Sequence, residues 1–371
     1  MTPSRHSRPT LADVAELSGM SKAAVSLILN DRPGSRLSEE AAQRVRAAAA
    51  ELDYRPNPAA QSLRLGRTRT IGLISDKLTL TRHVSGMISG ALEAAERYGH
   101  TVLIAETGGD AAGIADAFDG MLDRRVDAVA VGLMSARMVD VPDTDSGIPV
   151  VVINGRTPAD HPSVLPDERP AGYTMMRRLL DAGHRRIGLV GDLPRATSED
   201  MRVSATIALR FEGIEQALTE AGVTAERAQV RDWTPEQGFE QTHRLLDEHP
   251  ALTAFLAGND SAAFGIYQAL NERGLRIPED VSVVSFDDEE LASYLRPGLT
   301  TARLPYDTMG ALGIDMLLGD RDLSHELVPM PVIDRESVAH PPTGFPGTQR
   351  GRRAKSSGIG GRGAVRQVWY Q

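Results

Sequence analysis

Seven side chains of this chain have the types and positions to recognise a polar small molecule together: Asp76, Asn154, Arg156, Arg210, Trp233, Asn259 and Asp287. Carboxylates, carboxamides and a guanidinium offer paired hydrogen bonds to hydroxyl groups. An indole offers a flat apolar face to C–H groups. That combination suits a sugar. Alternatives stay open at three positions. Asp287, beside Asp288, also fits a turn or helix cap. Trp233 also fits a core indole, and Arg156 a surface cation. Catalytic sets are absent. There is no Gly-x-Ser-x-Gly elbow, no phosphate-cradling Gly-Lys-Ser/Thr loop and no His-Glu-x-x-His zinc site. The histidines, among them His83, His100, His161, His184, His243 and His249, show no ligand spacing. No catalytic residue, metal or cofactor is expected.

The elements that must hold those side chains follow from the apolar pattern. Asp76 follows the run Ile71–Ser75. Asn154 and Arg156 follow Val150–Ile153. Asn259 and Asp260 follow Thr253–Ala257, and Asp287 follows Val281–Phe286. Further runs cover Thr101–Ala105, Ala128–Gly132 and Arg186–Val190. Amphipathic stretches lie between them at Gly86–Tyr98, Tyr173–Leu180, Ala208–Ala221, Gly238–Leu246 and Ser261–Arg273. Strand–helix alternation of this kind predicts parallel sheets covered by helices. So many units over some 270 residues fit two doubly wound subdomains better than one. Ligands of such sheets bind beyond the carboxyl ends of the strands. Asp76, Asn154, Arg156, Asn259 and Asp287 fall at such ends, while Arg210 comes early in an amphipathic stretch and Trp233 in a loop.

The N-terminus reads differently. Residues 10–30 predict two short helices joined by a tight turn, with Val14, Ala15, Val25 and Ile28 inward and Gly19 at the corner. The turn needs positive φ, which glycine supplies without strain. Thr10 can cap the first helix and Ser21 the second. Lys22, Ala23, Ser26 and Leu27 then face outward, where base edges of a major groove would lie. An ordinary helical hairpin is the competing reading. A third helix, capped by Ser38 and running to about Leu52, closes a small core through Val45, Ala48, Ala49 and Leu52. Asn57-Pro58 can start a short segment through Arg64. Alone it is below the length at which helices hold in water, about 12–15 residues. It fits a segment that folds against a surface, or a plain linker.

Charge is segregated along the chain. Residues 1–70 carry 11 Lys/Arg against 7 Asp/Glu, and residues 341–371 carry 6 against none. The stretch between them carries 24 against 43. A basic head on an acidic body concentrates phosphate attraction at one end. The 371 residues contain no cysteine, which fits a reducing cytoplasm. No secretory signal and no apolar run of membrane-spanning length is seen, so no membrane partner is expected. The Gly/Arg-rich end reads as a disordered basic tail.

Several segments at their mutual spacing resemble the lactose-repressor (LacI/GalR-type) family of bacterial transcriptional regulators. They are Leu-Ala-Asp-Val-Ala-Glu-Leu-Ser-Gly (11–19), Val-Ser-Leu-Ile-Leu-Asn (25–30), Leu-Asp-Tyr-Arg-Pro-Asn (52–57) and Ala-Gly-His-Arg-Arg-Ile (182–187). Gly-Asn-Asp (258–260), Asp-Val-Ser-Val-Val-Ser-Phe-Asp-Asp (280–288) and Leu-Thr-Thr (299–301) continue the match. The resemblance implies a small all-α helix-turn-helix headpiece plus an α/β core of two doubly wound parallel-sheet subdomains, periplasmic-binding-protein-like, type I. The implied boundaries are an arm at 1–9, a headpiece at 10–56, and a hinge helix and linker at 57–70. The core N-subdomain is 71–169 with 303–326, the C-subdomain 170–302 with 327–338, and the tail 339–371. The implied partners are a pseudo-palindromic double-stranded DNA operator, a small-molecule effector of carbohydrate type, and a second copy in a homodimer. The implied location is the cytoplasm, on the nucleoid when operator-bound. By position, DNA contacts carry over to Thr10, Ser21, Lys22, Ala23, Ala24, Ser26, Leu27, Asn30, Tyr54, Asn57, Ala60 and Leu63. Leu63 would be the minor-groove wedge. Leu27 stands where many members have Arg, so this chain offers apolar contact there. Asp76, Arg210, Trp233, Asn259 and Asp287 fall at ligand-contacting positions, and Asn154 stands where some relatives carry Asp. A solute-binding protein without DNA function is the alternative that the core alone permits.

Overall fold

The computed structural model describes residues 9–29, 37–55, 66–76, 83–142, 147–198, 200–319 and 321–343. Asn30, Asn57, Ala60 and Leu63 lie outside the described residues.

The headpiece has three helices: α1 (Leu11–Ser18), α2 (Lys22–Leu29) and α3 (Glu39–Glu51). Thr10 and Asp13 form a reciprocal capping box on α1, and the Thr10 backbone hydrogen bond holds the Asp13 carboxyl below its usual range. Gly19 ends α1 in the left-handed region at φ 68°. Its freedom there lets α2 start after only two more residues. The Ser21 hydroxyl accepts from the Ala24 N–H, and Ser38 caps α3 through the Ala41 N–H. Val14, Val25, Ile28, Val45 and Ala48 close the core. That core is small, so each member weighs heavily.

The first core sheet is built from β1 (Thr70–Ser75), β2 (Thr101–Glu106), β3 (Ala128–Met138), β4 (Val150–Arg156) and β5 (Ser163–Asp167). Helices α4 (His83–Arg97) and α5 (Ala111–Asp123) connect them. The chain then passes to a second lobe: α6 (Glu168–Asp181), β6 (Ile187–Asp192), α7 (Ile207–Ala221), β7 (Glu226–Gln229), α8 (Pro235–Glu248), β8 (Ala254–Ala257), α9 (Asp260–Glu272), β9 (Ser282–Asp287), α10 (Glu290–Tyr294) and β10 (Thr300–Arg303). It returns for α11 (Tyr306–Leu318) and β11 (His325–Pro329), then crosses a third time to β12 (Val332–Ile333). The sheet orders are β11-β5-β4-β3-β1-β2 and β12-β10-β9-β8-β6-β7. All described pairings are parallel except β12 on β10. Strands such as β8, buried throughout, read as unbroken apolar runs because helices cover both faces.

Four expected boundaries are corrected. Glu168 and Arg169 open α6, which packs on α7, so the first crossing falls after Asp167 rather than after residue 169. Arg303 is the last residue of β10 in the second sheet, so the return begins after it. Leu327–Pro329 complete β11 in the first sheet, so the third crossing falls after Pro329 rather than after residue 326. The tail does not begin at 339. The Ala339 N–H donates to Ser282 Oγ, and the Ala339 carbonyl accepts from His184 Nε2 and Ser282 Oγ. Burial of His184 pushes its imidazole below the ordinary pKa, consistent with a neutral, structural ring. Strand β3 also runs to Met138, six residues past the expected end, because after an irregularity between Gly132 and Arg137 it pairs with β4 again, Arg137 beside Gly155 and Met138 beside Arg156.

Candidate functional site

A cleft of about 610 Å³ lies between the lobes at the carboxyl ends of the strands. Asn154, Arg210, Trp233, Asn259 and Asp287 all line it. The first lobe adds Met134–Ala136 and Pro166, and the second adds Glu168, Arg195 and Thr206. A second cavity of similar volume shares Asp287, Glu289, Leu304 and Tyr306 with it, and Ser85, Gly86 and Tyr294 help to line that one.

Arg210 is the centre of the cleft floor and is 1% exposed. Its Nε donates to Glu168 Oε2 at 2.6 Å and its Nη2 to Glu168 Oε1 at 2.9 Å. Nη1 donates to the Gly258 carbonyl at 2.7 Å. Asp287 Oδ1 stands 4.0 Å from Nη2. The guanidinium also stacks 4.2 Å from the Phe286 ring centroid and 5.3 Å from that of Trp233. Burial alone would push this guanidinium down, but the Glu168 carboxylate outweighs it and holds the group above its ordinary value. Trp233 is fixed in turn by its indole N–H, which donates to the Gly191 carbonyl at 2.9 Å. The indole lies against Gly258, where a Cβ would overlap it.

Two oxygens of the lining have no hydrogen-bond partner among the described residues: Asn154 Oδ1 and Thr206 Oγ1. Both residues are nearly fully buried. Asn154 Nδ2 is committed to the Leu133 and Met134 carbonyls, which fixes the carboxamide. Its backbone takes φ 60°, a conformation asparagine tolerates better than most residues. Buried polar atoms are normally satisfied, so this pair stands out in the lining.

Asn259 serves two ends. Its Oδ1 caps α9 through the Ala262 N–H at 2.8 Å, and the residue faces the cleft. Beneath it, Asp260 accepts from Ser285 Oγ, from Thr301 Oγ1 at 2.8 Å and from the Glu289 N–H at 2.7 Å. Desolvation, reinforced by the charge of Asp287, pushes its carboxyl up to about 8. Asp287 and Asp288 follow with φ 108° and 55°. Arg335 pins Asp288 at 2.6 Å, so the unusual backbone that presents Asp287 is held from below.

Two expected residues are not among the cleft lining. Asp76 is buried and accepts from the Met134 N–H at 3.0 Å and from Arg137 Nη2 at 2.9 Å. It positions the loop that lines the cleft. Arg156 pairs with Asp160 at 3.9 Å. Glu168 and Thr206 were missed by sequence reasoning. Glu168 opens a helix directly after a strand that contains Pro166, and an acidic residue there reads as a partner of the helix dipole.

Away from the chain crossings in sequence, the lobes are also fastened directly. The Met138 N–H donates to the Met201 carbonyl at 2.8 Å, and the Ala205 N–H to the Ala136 carbonyl at 2.7 Å. Arg202 donates to both Asp140 oxygens at 2.9 and 3.2 Å, which holds the Asp140 carboxyl low.

In the headpiece, Lys22, Ala23 and Leu27 are exposed on one face of α2, with Ala24 and Ser26 half-buried. Thr10 and Ser21 are exposed and act as caps. Tyr54 packs half-buried against the headpiece core, and that burial raises its phenol. Among the described residues no group of three or more His, Asp or Glu is placed to hold a metal, and no helix is long and apolar enough to cross a membrane.

A three-helix headpiece ahead of a two-lobed core with a polar cleft is the architecture of a DNA-binding transcriptional regulator. Residues 10–57 match the model of bacterial regulatory proteins of the lacI family, and residues 176–338 match a periplasmic binding protein-like domain. The chain is 31% identical over 320 residues to the ribose operon repressor of Haemophilus influenzae, covering 83% of this chain and 91% of the relative. It is 31% identical over 330 residues to the transcriptional repressor PurR of Vibrio cholerae, covering 85% and 93%. The fold is similar to the Lac repressor dimer bound to operator and an anti-inducer, with TM-score 0.70, 28% identity, and 90% and 100% of the two chains covered. It is also similar to a complex of the transcriptional regulator CelR with cellobiose, with TM-score 0.55, 26% identity, and 89% and 100% covered. The chain belongs to the LacI family of bacterial transcriptional regulators.

Proposed function

We propose that this regulator is a repressor that binds a pseudo-palindromic operator as a homodimer, and that a sugar in the interlobe cleft sets its operator affinity. The observation that carries the sugar reading is the pair of buried, unpartnered oxygens on Asn154 and Thr206, facing a cleft that also holds Arg210, Asp287 and the Trp233 indole. Hydroxyl hydrogens satisfy such oxygens, and the indole takes the C–H face. Cellobiose, the ligand named for one similar protein, agrees in chemistry. In the headpiece, Lys22, Ala23, Ala24, Ser26 and Leu27 present a surface for base edges, with Thr10, Ser21 and Tyr54 at its margins. Asn57, Ala60 and Leu63, outside the described residues, are assigned to the minor groove. The role assigned to these residues is binding, as the relatives named transcriptional repressors support, and the location assigned is the cytoplasm.

The lobes meet through three chain crossings and through the contacts of 136–140 with 201–205. A ligand that prefers one interlobe angle shifts the separation of the two headpieces in a dimer. Such coupling is typically about 1–3 kcal/mol. Gel retardation with DNA upstream of the protein's own gene, with and without a panel of sugars, tests the reading. Salt-sensitive preference for one fragment, altered by one sugar, is the expected result. Equal binding to all fragments under every condition refutes it.

A further inference from the structure

Among the described residues Arg210 is the one fully buried cation of the cleft, yet its charge is already answered from within the protein. A guanidinium carries five N–H donors. Glu168 takes two of them in a paired contact, and the Gly258 carbonyl takes a third. The pairing is built into the helix crossing. Gly172 on α6 lies where a Cβ would overlap the Arg210 carbonyl oxygen, and Gly213 on α7 where one would overlap the Arg169 carbonyl. Two glycines thus let α6 and α7 approach until Glu168 meets Arg210. The rest of the described lining is acidic or neutral at Asp287, Glu289, Asn154 and Thr206, with exposed Arg195 as its other cation among the described residues.

Resting on the sugar reading above, we propose that Glu168 is the specificity-determining residue that fits this cleft for an uncharged or amine-bearing sugar and closes it to sugars bearing phosphate or carboxylate. An anion brought to this floor finds no unanswered buried positive charge and meets Asp287 and Glu289. It would lose its water without gaining a counter-ion. A hydroxyl or ammonium donor, by contrast, finds acceptors throughout.

The test uses the full-length protein and its Glu168→Gln variant. Thermal melts are run with glucose, glucosamine, glucose 6-phosphate, glucuronate, ribose, ribose 5-phosphate and inorganic phosphate, each against sodium chloride at matched ionic strength. Ligands of a folded protein raise its melting temperature by mass action. The wild type is expected to show no anion-specific rise. E168Q is expected to gain a rise of about 2 °C or more with inorganic phosphate or a phosphosugar, because the guanidinium is freed. A wild-type rise with a phosphosugar or uronate overturns the proposal, as does an E168Q protein indifferent to every anion. If E168Q fails to fold, Glu168→Asp, which withdraws the carboxylate by one methylene, is read in the same way. For any sugar that binds the wild type, calorimetry should show at least about tenfold weaker binding of its phosphate ester and no such loss for its amino derivative. If no sugar binds while E168Q still gains phosphate binding, the sugar reading fails and the charge assignment to Glu168 stands.

Discussion

On α2, Lys22, Ala23 and Leu27 stand in solvent with their outer surfaces uncovered, whereas on the cleft floor Arg210, Glu168, Asn154 and Thr206 are at most 2% exposed and locked in place. The headpiece has a small apolar core and an exposed reading face. The cleft has fixed side chains whose mutual bonds use most of their capacity before any ligand arrives. The difference follows from what each region reads. A duplex presents a broad charged surface, and phosphate attraction acts at long range, so exposed groups suffice. A small polar molecule offers few contacts, and its recognition depends on groups already desolvated and oriented.

The most drastic way to separate the two regions is to delete residues 1–65. Gel retardation of any specific fragment should vanish, while the melting temperature of the core and its sugar response persist. Retained specific retardation would place DNA reading in the core. Next comes Arg210→Ala, which takes from Glu168 its paired partner at 2% exposure. Breaking a buried pair from one side costs about 3–5 kcal/mol, so urea melts should show a loss of that size along with a lost sugar response. A loss under about 1 kcal/mol would mean that the pair is not buried in solution. Asp287→Ala is expected to do less to stability and more to recognition. Sugar binding measured by calorimetry should weaken about ten- to hundredfold, the loss of a charge-assisted hydrogen bond, with the urea midpoint little changed.

A pH-dependent effect concerns Asp260, whose carboxyl is raised from 3.8 to about 8 by burial and the nearby Asp287 charge. The folded state therefore holds a proton that the unfolded state releases at lower pH. Stability should fall as pH rises from about 4 towards 8, by at most about 1.4 kcal/mol per pH unit. Asp260→Asn should flatten that slope in urea melts. An unchanged slope would assign it to other groups.

Sequence periodicity was most informative where contacts are local. Thr10, Gly19, Ser21 and Ser38 act where their types and spacing indicated, because caps and turns are settled within a few residues. The rule that ligands gather at strand ends also located Asn154, Asn259 and Asp287 on the cleft. It placed backbones but not side-chain commitments. Asp76 also follows a strand, yet Arg137, 61 residues away, takes its carboxylate. Glu168 was invisible because its partner Arg210 is 42 residues away on another helix. Nor did the apolar pattern reveal the end of β3. Residues 134–138 are partly buried or exposed, and besides β4 their partners Met201 and Ala205 lie in the other lobe.

The linkage between cleft and headpiece is tested most directly by titrating a stabilising sugar into the protein with and without its bound operator. Binding equilibria must be reciprocal. The sugar's affinity is predicted to change on adding operator by the same factor, about 5- to 150-fold, by which the sugar changes operator affinity. Identical sugar affinity in the free and DNA-bound protein would contradict the account.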